Sequence, residues 1–306
     1  FHVTGVQTCA LPISAVSERR LLLVHAHPDD ESISNGVTMA KYVAQGAQVT
    51  LVTCARGEEG EVLVPELSHL AAAHDDNLGA HRILELENAM KVIGVKDHRF
   101  LGNYRDSGMM GTDPNNRPES FWQADLDEAA LKLVEIIREV RPQVLITYDE
   151  FGGYGHPDHI KAHRVAMRAS ELAADPNVGT GAAWEIPNIY WNTMPRSVIE
   201  AAMKKLAEKG ESFFGTNNID ELPFVKPDEL THAVIDGVEF VDKKLAALAE
   251  HKTQLSMDAP FFALSDDLGK NVWGYEYYTQ VKGVRSSKDR KSTRLNSSHV
   301  KRSRMP

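Results

Sequence analysis

Leu21-Leu22-Leu23-Val24, running into His25-Ala26-His27-Pro28-Asp29-Asp30-Glu31, decides the fold. A short apolar run that stops at a polar, proline-containing loop reads as a strand buried on both faces, as in a parallel sheet. Working outward, Asn35 to Gln45 suits a helix, with Gly46 where a C-terminal stop belongs. Gln48 to Thr53 is β-branched and reads as a second strand. Asp75 to Ile93 reads as a helix closed by Gly94, and His98 to Leu101 as a short strand. Trp122 to Val140 is the clearest helix, with Trp122, Leu126, Ala129, Leu133, Ile136, Ile137 and Val140 on one face. Val144 to Thr147 repeats the buried-strand pattern, and a helix follows from about Pro157 to Ala174. Further on the signals weaken to a strand at Ile189-Tyr190-Trp191 and helices over Val198 to Glu208 and Gly237 to His251. Strands alternating with helices of this length imply an α/β fold: a three-layer α/β/α sandwich around a mostly parallel, Rossmann-like sheet. Ligand sites in such sheets lie beyond the C-terminal strand ends.

The chain has 306 residues and a formal net charge of −9. No run of apolar residues is long enough for a transmembrane helix. The last 22 residues, Arg285 to Pro306, hold eight Lys/Arg and one Asp, a net of +7, so the remainder carries −16. An acidic body argues against nucleic acid as a partner, because phosphate binding needs a basic face. The basic tail and the opening FHVTGVQTCALPIS resemble translated sequencing-adapter read-through. Residues 1–18 and 285–306 are therefore expected to be non-native, and residues 19–284 to form one domain whose part from about 184 completes the pocket. Of the two cysteines, Cys9 falls in the leader and Cys54 at the end of the second strand. So few cysteines make no disulfide framework and fit a reducing, cytoplasmic compartment.

Two segments carry chemistry, and both follow predicted strands. The first is His25 to Glu31. The second is Tyr148-Asp149-Glu150-Phe151-Gly152-Gly153-Tyr154-Gly155-His156-Pro157-Asp158-His159. The fold puts both at one edge of the sheet, where His and carboxylate side chains could grip a divalent metal. A catalytic zinc takes about three protein ligands and keeps one position for water. One His and one carboxylate from the first loop, with one His from the second, supply that set. A neighbouring carboxylate is left over to act as base. Taken singly, an His-Pro or Asp-Asp dipeptide is common turn chemistry; it is the pair of loops at equivalent strand ends that carries weight.

His27-Pro28-Asp29-Asp30-Glu31 together with His156-Pro157-Asp158-His159 resembles the PIG-L or LmbE-like family of zinc-dependent N-acetylglucosaminyl deacetylases. HAHPDDESISNGVTMAKYVAQGAQVTLVTCARGEEGEV, YRDSGMMGT and YDEFGGYGHPDH further resemble the actinobacterial branch that removes acetate from an N-acetylglucosaminyl-inositol in mycothiol biosynthesis. The resemblance runs from about Leu21 to about Tyr278. It implies that His27, Asp30 and His159 bind one Zn2+, with Fe2+ able to fill the same ligands. It casts Asp29 as general base, His156 as a cationic side chain near the tetrahedral intermediate held by Asp158, and Tyr154 as a hydrogen-bond donor to the oxyanion. Ser34, Arg82, Asp106 and Met109 fall where the family contacts its substrate. Leu101-Gly102-Asn103-Tyr104 is a couple of residues shorter than in close relatives, which bears on where Asp106 and Met109 sit. The implied partner is a small sugar-inositol, with no nucleic acid and no membrane; nothing in the sequence sets an oligomeric state.

Other residues fit blander readings. His25 reads as packed or supporting. His163 lies on the His159 face of a helix, but Ile160 stands where the zincin pattern wants Glu. His69, His74, His81 and His98 read as surface or packing residues, Cys54 as a small buried one. Gly57-Glu58-Glu59-Gly60-Glu61 is either a solvated loop or a pocket rim. The Trp273 to Tyr278 cluster either stacks on a sugar or packs in the core. Competing functions are the related mycothiol S-conjugate amidase, another LmbE-like N-acetylglucosamine deacetylase, a non-haem iron oxygenase using the same two-His, one-carboxylate set, and a metal-stabilised binding module.

Overall fold

The computed structural model describes residues 19–208, 210–213, 215–257 and 273–284. The leader, Cys9 and the basic tail lie outside the described residues. In chain order the principal elements are β1 (Arg20–His25), α1 (Asp30–Ala44), β2 (Gln48–Ala55), α2 (Leu78–Ile93), β3 (Asp97–Tyr104), α3 (Leu126–Val140), β4 (Val144–Thr147), α4 (Pro157–Ala174), β5 (Asn188–Pro195), α5 (Arg196–Glu208), β6 (Val225–Lys226), β7 (Ala233–Asp236), α6 (Val241–Leu248) and β8 (Tyr275–Lys282). One sheet runs β3-β2-β1-β4-β5-β8-β7, with β6 beside β5. β1 to β5 are mutually parallel, and β8 joins antiparallel between β5 and β7. This is the expected α/β sandwich around a mostly parallel sheet.

Strand alternation sorts the core into two layers. Leu22, Val24, Val52, Cys54 and Leu145 face α3 and α4, packing against Leu133, Ile137, Val165 and Ala169. Leu21, Leu23, Val49, Leu51, Val144 and Ile146 face the other way, onto Met39, Leu86, Met90, Ile93 and Ala247 of α1, α2 and α6. Helices on both faces are why the strands are continuously apolar rather than alternating. Chain order reverses between β1 and β4, so the crevice between them is the topological switch point at which such sheets bind ligands.

Local chemistry sets the helix ends. Asp125 caps α3 by accepting from the Glu128 N–H at 2.9 Å, and Gly94 ends α2 with φ 96°. Several boundaries differ from expectation. α1 begins at Asp30, not Asn35, because Asp30 and Glu31 sit in its first turn, where carboxylates meet the helix dipole favourably. α2 begins at Leu78, after a turn holding Asp76 at φ 54°. Trp122 lies in a separate 3-10 turn before α3. The expected Gly237–His251 helix is a 3-10 turn followed by α6, and His251 lies beyond its end. β7 and β8 carried no clear strand signal. The Trp273 to Tyr278 cluster runs into β8, and Tyr278 is fully buried, which makes it core. Among the described residues no helix is long and apolar enough to cross a membrane.

Candidate active site

β1 and β4 are hydrogen-bonded neighbours, Leu23 standing opposite Ile146, so the loops that follow them emerge side by side. The first turns directly into α1 and the second into α4, leaving the N-terminus of each helix at the same spot. Tyr148 ties the loops together: its hydroxyl accepts the Ala26 N–H at 2.9 Å and meets His25 Nδ1 at 3.1 Å. In the second loop, Gly152 has φ 65°, and a Cβ there would stand 2.6 Å from both the His159 Cβ and the Ile160 nitrogen. Only glycine lets this loop fold down onto the start of α4.

Three imidazoles converge in the crevice. Ring nitrogens of His27, His156 and His159, all buried, lie within 4.8 Å of one another. Asp30 reaches two of them, with Oδ1 3.4 Å from His159 Nε2 and Oδ2 3.7 Å from His27 Nδ1. His27 Nε2 faces two acceptors, Asp158 Oδ2 at 3.0 Å and Asp106 Oδ1 at 3.5 Å. That nitrogen therefore carries a proton, and Nδ1 is the atom turned toward Asp30. Burial works against the charge on His27, but the two carboxylates outweigh it and raise its pKa well above the usual histidine value. The same balance runs the other way at Asp30: His159, His27 and His25 overcome burial and hold its carboxyl well below the ordinary range.

His159 is the most informative residue. Its ring nitrogens are buried, and Nε2 makes no hydrogen bond among the described residues although Asp30 Oδ1 stands 3.4 Å away. Burial lowers its pKa to about 4, so it is neutral and presents a lone pair. A buried imidazole whose Nε2 is aimed at a carboxylate and a second histidine without a hydrogen bond has the chemistry of a cation ligand rather than of a packed side chain. Two His and one Asp form a donor set that a divalent metal could use with coordination positions left open. His27, held on its far side by Asp158, has the carboxylate–histidine support typical of metal-binding imidazoles. A second compact triad, His27, Asp106 and Asp158, shares that histidine. Its distances are those of the hydrogen bonds already named.

Asp29 stands beside this cluster in an unusual backbone conformation, φ 121° and ψ −35°, rare for a residue with a Cβ. Arg82 donates to its Oδ2 at 3.2 Å. Burial pushes the Asp29 carboxyl up to about 7, against the pull of Arg82 and with help from the Asp30 charge. A carboxyl poised there can take and return a proton at neutral pH.

The remaining predicted residues fall as follows. His156 is buried in the cluster, and burial together with the His27 and His159 rings lowers its pKa to about 3. These surroundings favour the neutral ring at rest, whereas the resemblance implies a cationic side chain at the tetrahedral intermediate. The carboxylate of Asp158 does not hold His156. It accepts from His27, from Ser107 N–H at 2.9 Å and from Ser107 Oγ, while the Asp158 backbone N–H donates to His156 Nδ1 at 3.1 Å. The reason is position: Asp158 is in the first turn of α4, and its side chain points into the crevice toward His27. Tyr154 is half-exposed, its ring edge-on to His159 at 4.9 Å. Burial of its hydroxyl raises the phenol pKa far above the usual value, so it is an O–H donor. Arg82 is buried, donating to the carbonyls of Gly57 and Pro28 as well as to Asp29. Asp106 is buried too, accepting from Gly108 and Glu59 N–H groups. Both are committed to shaping the floor of the crevice. Met109, by contrast, is exposed at its rim, and Ser34 is half-buried on α1.

The blander readings sort cleanly. His25 has both nitrogens engaged, Nδ1 with Tyr148 and Nε2 with Asn35 Oδ1 at 2.7 Å. His163 bonds the Tyr148 carbonyl at 2.9 Å and packs edge-on to Trp191. His69 and His74 are exposed, and His81 faces Glu85 at 3.7 Å. Cys54 is fully buried in the core, and burial raises its thiol pKa well above the usual value. The Glu58–Glu59 segment does line the rim: Glu58 accepts the Asp106 N–H, and Glu59 pairs with Arg105 and Arg117. Ser107, in the sequence Arg105-Asp106-Ser107-Gly108, escaped the sequence reading although it bonds Asp158. So did Tyr148, the first residue of the second loop.

Known proteins resemble this chain in sequence and fold. The family model described as PIG-L: GlcNAc-PI de-N-acetylase matches residues 22–170. The chain is 59% identical over 278 residues to the 1D-myo-inositol 2-acetamido-2-deoxy-alpha-D-glucopyranoside deacetylase of Geodermatophilus obscurus, covering 89% of this chain and 95% of that protein. It is 56% identical over 277 residues to the enzyme of the same name from Streptomyces avermitilis, covering 88% and 94%. Among solved structures, the N,N'-diacetylchitobiose deacetylase of Pyrococcus horikoshii has a similar fold, with a TM-score of 0.60 at 20% identity over 87% of this chain and 85% of that one. The chain belongs to the PIG-L, GlcNAc-PI de-N-acetylase family of hydrolytic N-deacetylases.

Proposed function

We propose that the protein hydrolyses the N-acetyl group of 1D-myo-inositol 2-acetamido-2-deoxy-α-D-glucopyranoside, releasing acetate and the free amine, as a cytoplasmic step of mycothiol biosynthesis. The observation that carries the catalytic reading is the buried imidazole of His159, whose Nε2 faces Asp30 without a hydrogen bond, beside His27. The substrate comes from the relatives at 53–59% identity, which bear that substrate in their names. In this reading His27, Asp30 and His159 hold one divalent metal, zinc in preference to iron. Bound zinc would polarise the amide carbonyl and lower the pKa of an attacking water toward 7.

The chain's own residues do the rest. Asp29 accepts a proton from the attacking water and returns it to the departing nitrogen, a role matched to a carboxyl near 7. Tyr154 donates its hydroxyl hydrogen to the developing oxyanion. His156, neutral at rest, sits where it can stabilise the same charge once protonated; Asp158 acts by orienting His27. Removing one such donor typically costs about 3–4 kcal/mol of transition-state stabilisation. Arg82 orients Asp29, while Asp106 shapes the pocket wall; Met109 and Ser34 lie where a sugar-inositol would pass. Residues 19–284 act as one catalytic unit in this reading, the part after about 184 closing the pocket.

Acetate release from the glucosaminide, with and without a chelator, tests the proposal. Turnover that a chelator abolishes and added zinc restores is the expected result. Faster cleavage of a mycothiol S-conjugate would instead make the protein the related amidase, and oxygen-dependent turnover would make it an iron oxygenase.

A further inference from the structure

We propose that Glu31 and His251 form a positioning clamp that fixes the backbone of Asp29, so that the C-terminal part of the chain sets the geometry of the base. The inference rests on the assignment of Asp29 as base and goes beyond it by naming what holds that residue in place.

Asp29 is pinned at its N–H, its carbonyl and one carboxylate oxygen. Its carbonyl accepts the N–H groups of Ser32 and Ile33 at 3.0 and 2.9 Å, the opening bonds of α1. Its carboxylate meets Arg82. Its own N–H donates to Glu31 Oε2 at 2.9 Å. That last bond defines the turn, because φ 121° is a conformation that a residue with a Cβ holds only when its surroundings impose it. Glu31 is therefore a structural brace two residues along, and its side chain must stay put for Asp29 to stay put.

Glu31 is fully buried, and a buried carboxylate needs partners. Its Oε1 accepts from Ser32 Oγ at 2.6 Å and lies 3.1 Å from His251 Nε2. A carboxylate oxygen only accepts, so Nε2 is the protonated nitrogen of His251. His251 is also fully buried, and its Nδ1 has no hydrogen-bond partner among the described residues. The ring's one polar engagement on that side is thus the Glu31–Ser32 pair. The segment bearing His251 is itself anchored: Thr253 donates its N–H and hydroxyl to the Glu85 carboxylate at 2.9 and 2.8 Å, and its carbonyl accepts the Leu63 N–H at 2.8 Å. A rigid segment 222 positions away in sequence thus reaches the turn that bears the base. His251 lies well beyond residues 22–170, the stretch that the family model matches.

Both residues act through Asp29 and are positioning residues. Buried partners of this kind typically change activity by about 10- to 100-fold when removed. The test compares His251→Ala, His251→Gln and His251→Asn with the wild type, each loaded with zinc. It measures kcat and KM for acetate release, bound metal per chain, and hydrogen exchange at the Asp29 amide in metal-free protein. Gln places a nitrogen where Nε2 stands, whereas Asn is too short. His251→Ala and His251→Asn are expected to lower kcat roughly 10- to 100-fold with KM within about twofold and metal content unchanged, and to speed exchange at Asp29. His251→Gln is expected to restore most of both. If His251→Ala does not fold, the Gln and Asn variants carry the same comparison. An unchanged kcat, an unchanged Asp29 exchange rate, or a Gln variant no better than Asn overturns the clamp. Absence of acetate release by the wild type would refute the proposed substrate instead, and the exchange measurement would still decide the clamp.

Discussion

The half of the sheet made of β3-β2-β1-β4 and the half made of β5-β8-β7 are built from different kinds of sequence and do different work. In the first, β1 and β4 are short strands built around the apolar runs Leu21–Val24 and Val144–Ile146, and their C-terminal ends release His27, Asp29, Asp30, His156 and His159 into one crevice. In the second, strands carry polar side chains into the interior. Glu276 of β8 accepts from Val37 and Thr38 N–H groups of α1 and pairs with Lys244 of α6 at 2.7 Å, all of it buried. Tyr278 bonds Asn35 and Thr38, and Asn35 in turn holds His25, next to the crevice. One part supplies reactive groups; the other holds α1, the helix that begins at Asp30, in register with them.

Substitutions in each part should separate these roles. The largest effect is expected for His159→Ala, which should drop bound zinc well below one per chain and acetate release to background with the fold intact by circular dichroism. Retention of metal and activity would remove His159 from the ligand set. Lys244→Met should behave in the opposite way. It leaves Glu276 as an unpaired buried charge, so unfolding stability in urea is expected to fall by about 3–5 kcal/mol, while metal affinity of the folded fraction stays near wild type. Tyr278→Phe removes a hydroxyl from the same network and should cost about 1–3 kcal/mol, with a smaller loss of kcat. A loss of metal in either edge variant would show that the edge contributes to the site directly. The smallest effect is expected for Cys54→Ala, about 1 kcal/mol of stability with unchanged kcat, because the buried thiol has no chemical role.

The contrast also explains what could be read from the residues alone. Leu21–Val24 and Val144–Thr147 announce themselves because a strand buried on both faces must be continuously apolar, and each is followed at once by its histidines. The far edge gives no such signal: Tyr275–Lys282 alternates buried Glu276, Tyr278 and Gln280 with partly exposed neighbours, and its buried positions are polar. Local pattern makes His251 the end of a helix, since nothing local shows that it meets Glu31. The resemblance pairs Asp158 with His156; in three dimensions its carboxylate reaches His27 from the first turn of α4. Ligand types and loops are legible from local pattern, whereas the partners that orient them come from contacts across more than a hundred residues.

The central claim is that two adjacent aspartates divide the work, Asp30 on the metal and Asp29 on the proton. The most direct test is Asp29→Asn, purified and assayed for bound zinc and for acetate release from the glucosaminyl-inositol. One zinc per chain with turnover reduced by about 10²- to 10⁴-fold is the expected result. Loss of the metal, or turnover close to wild type, would contradict the division of roles.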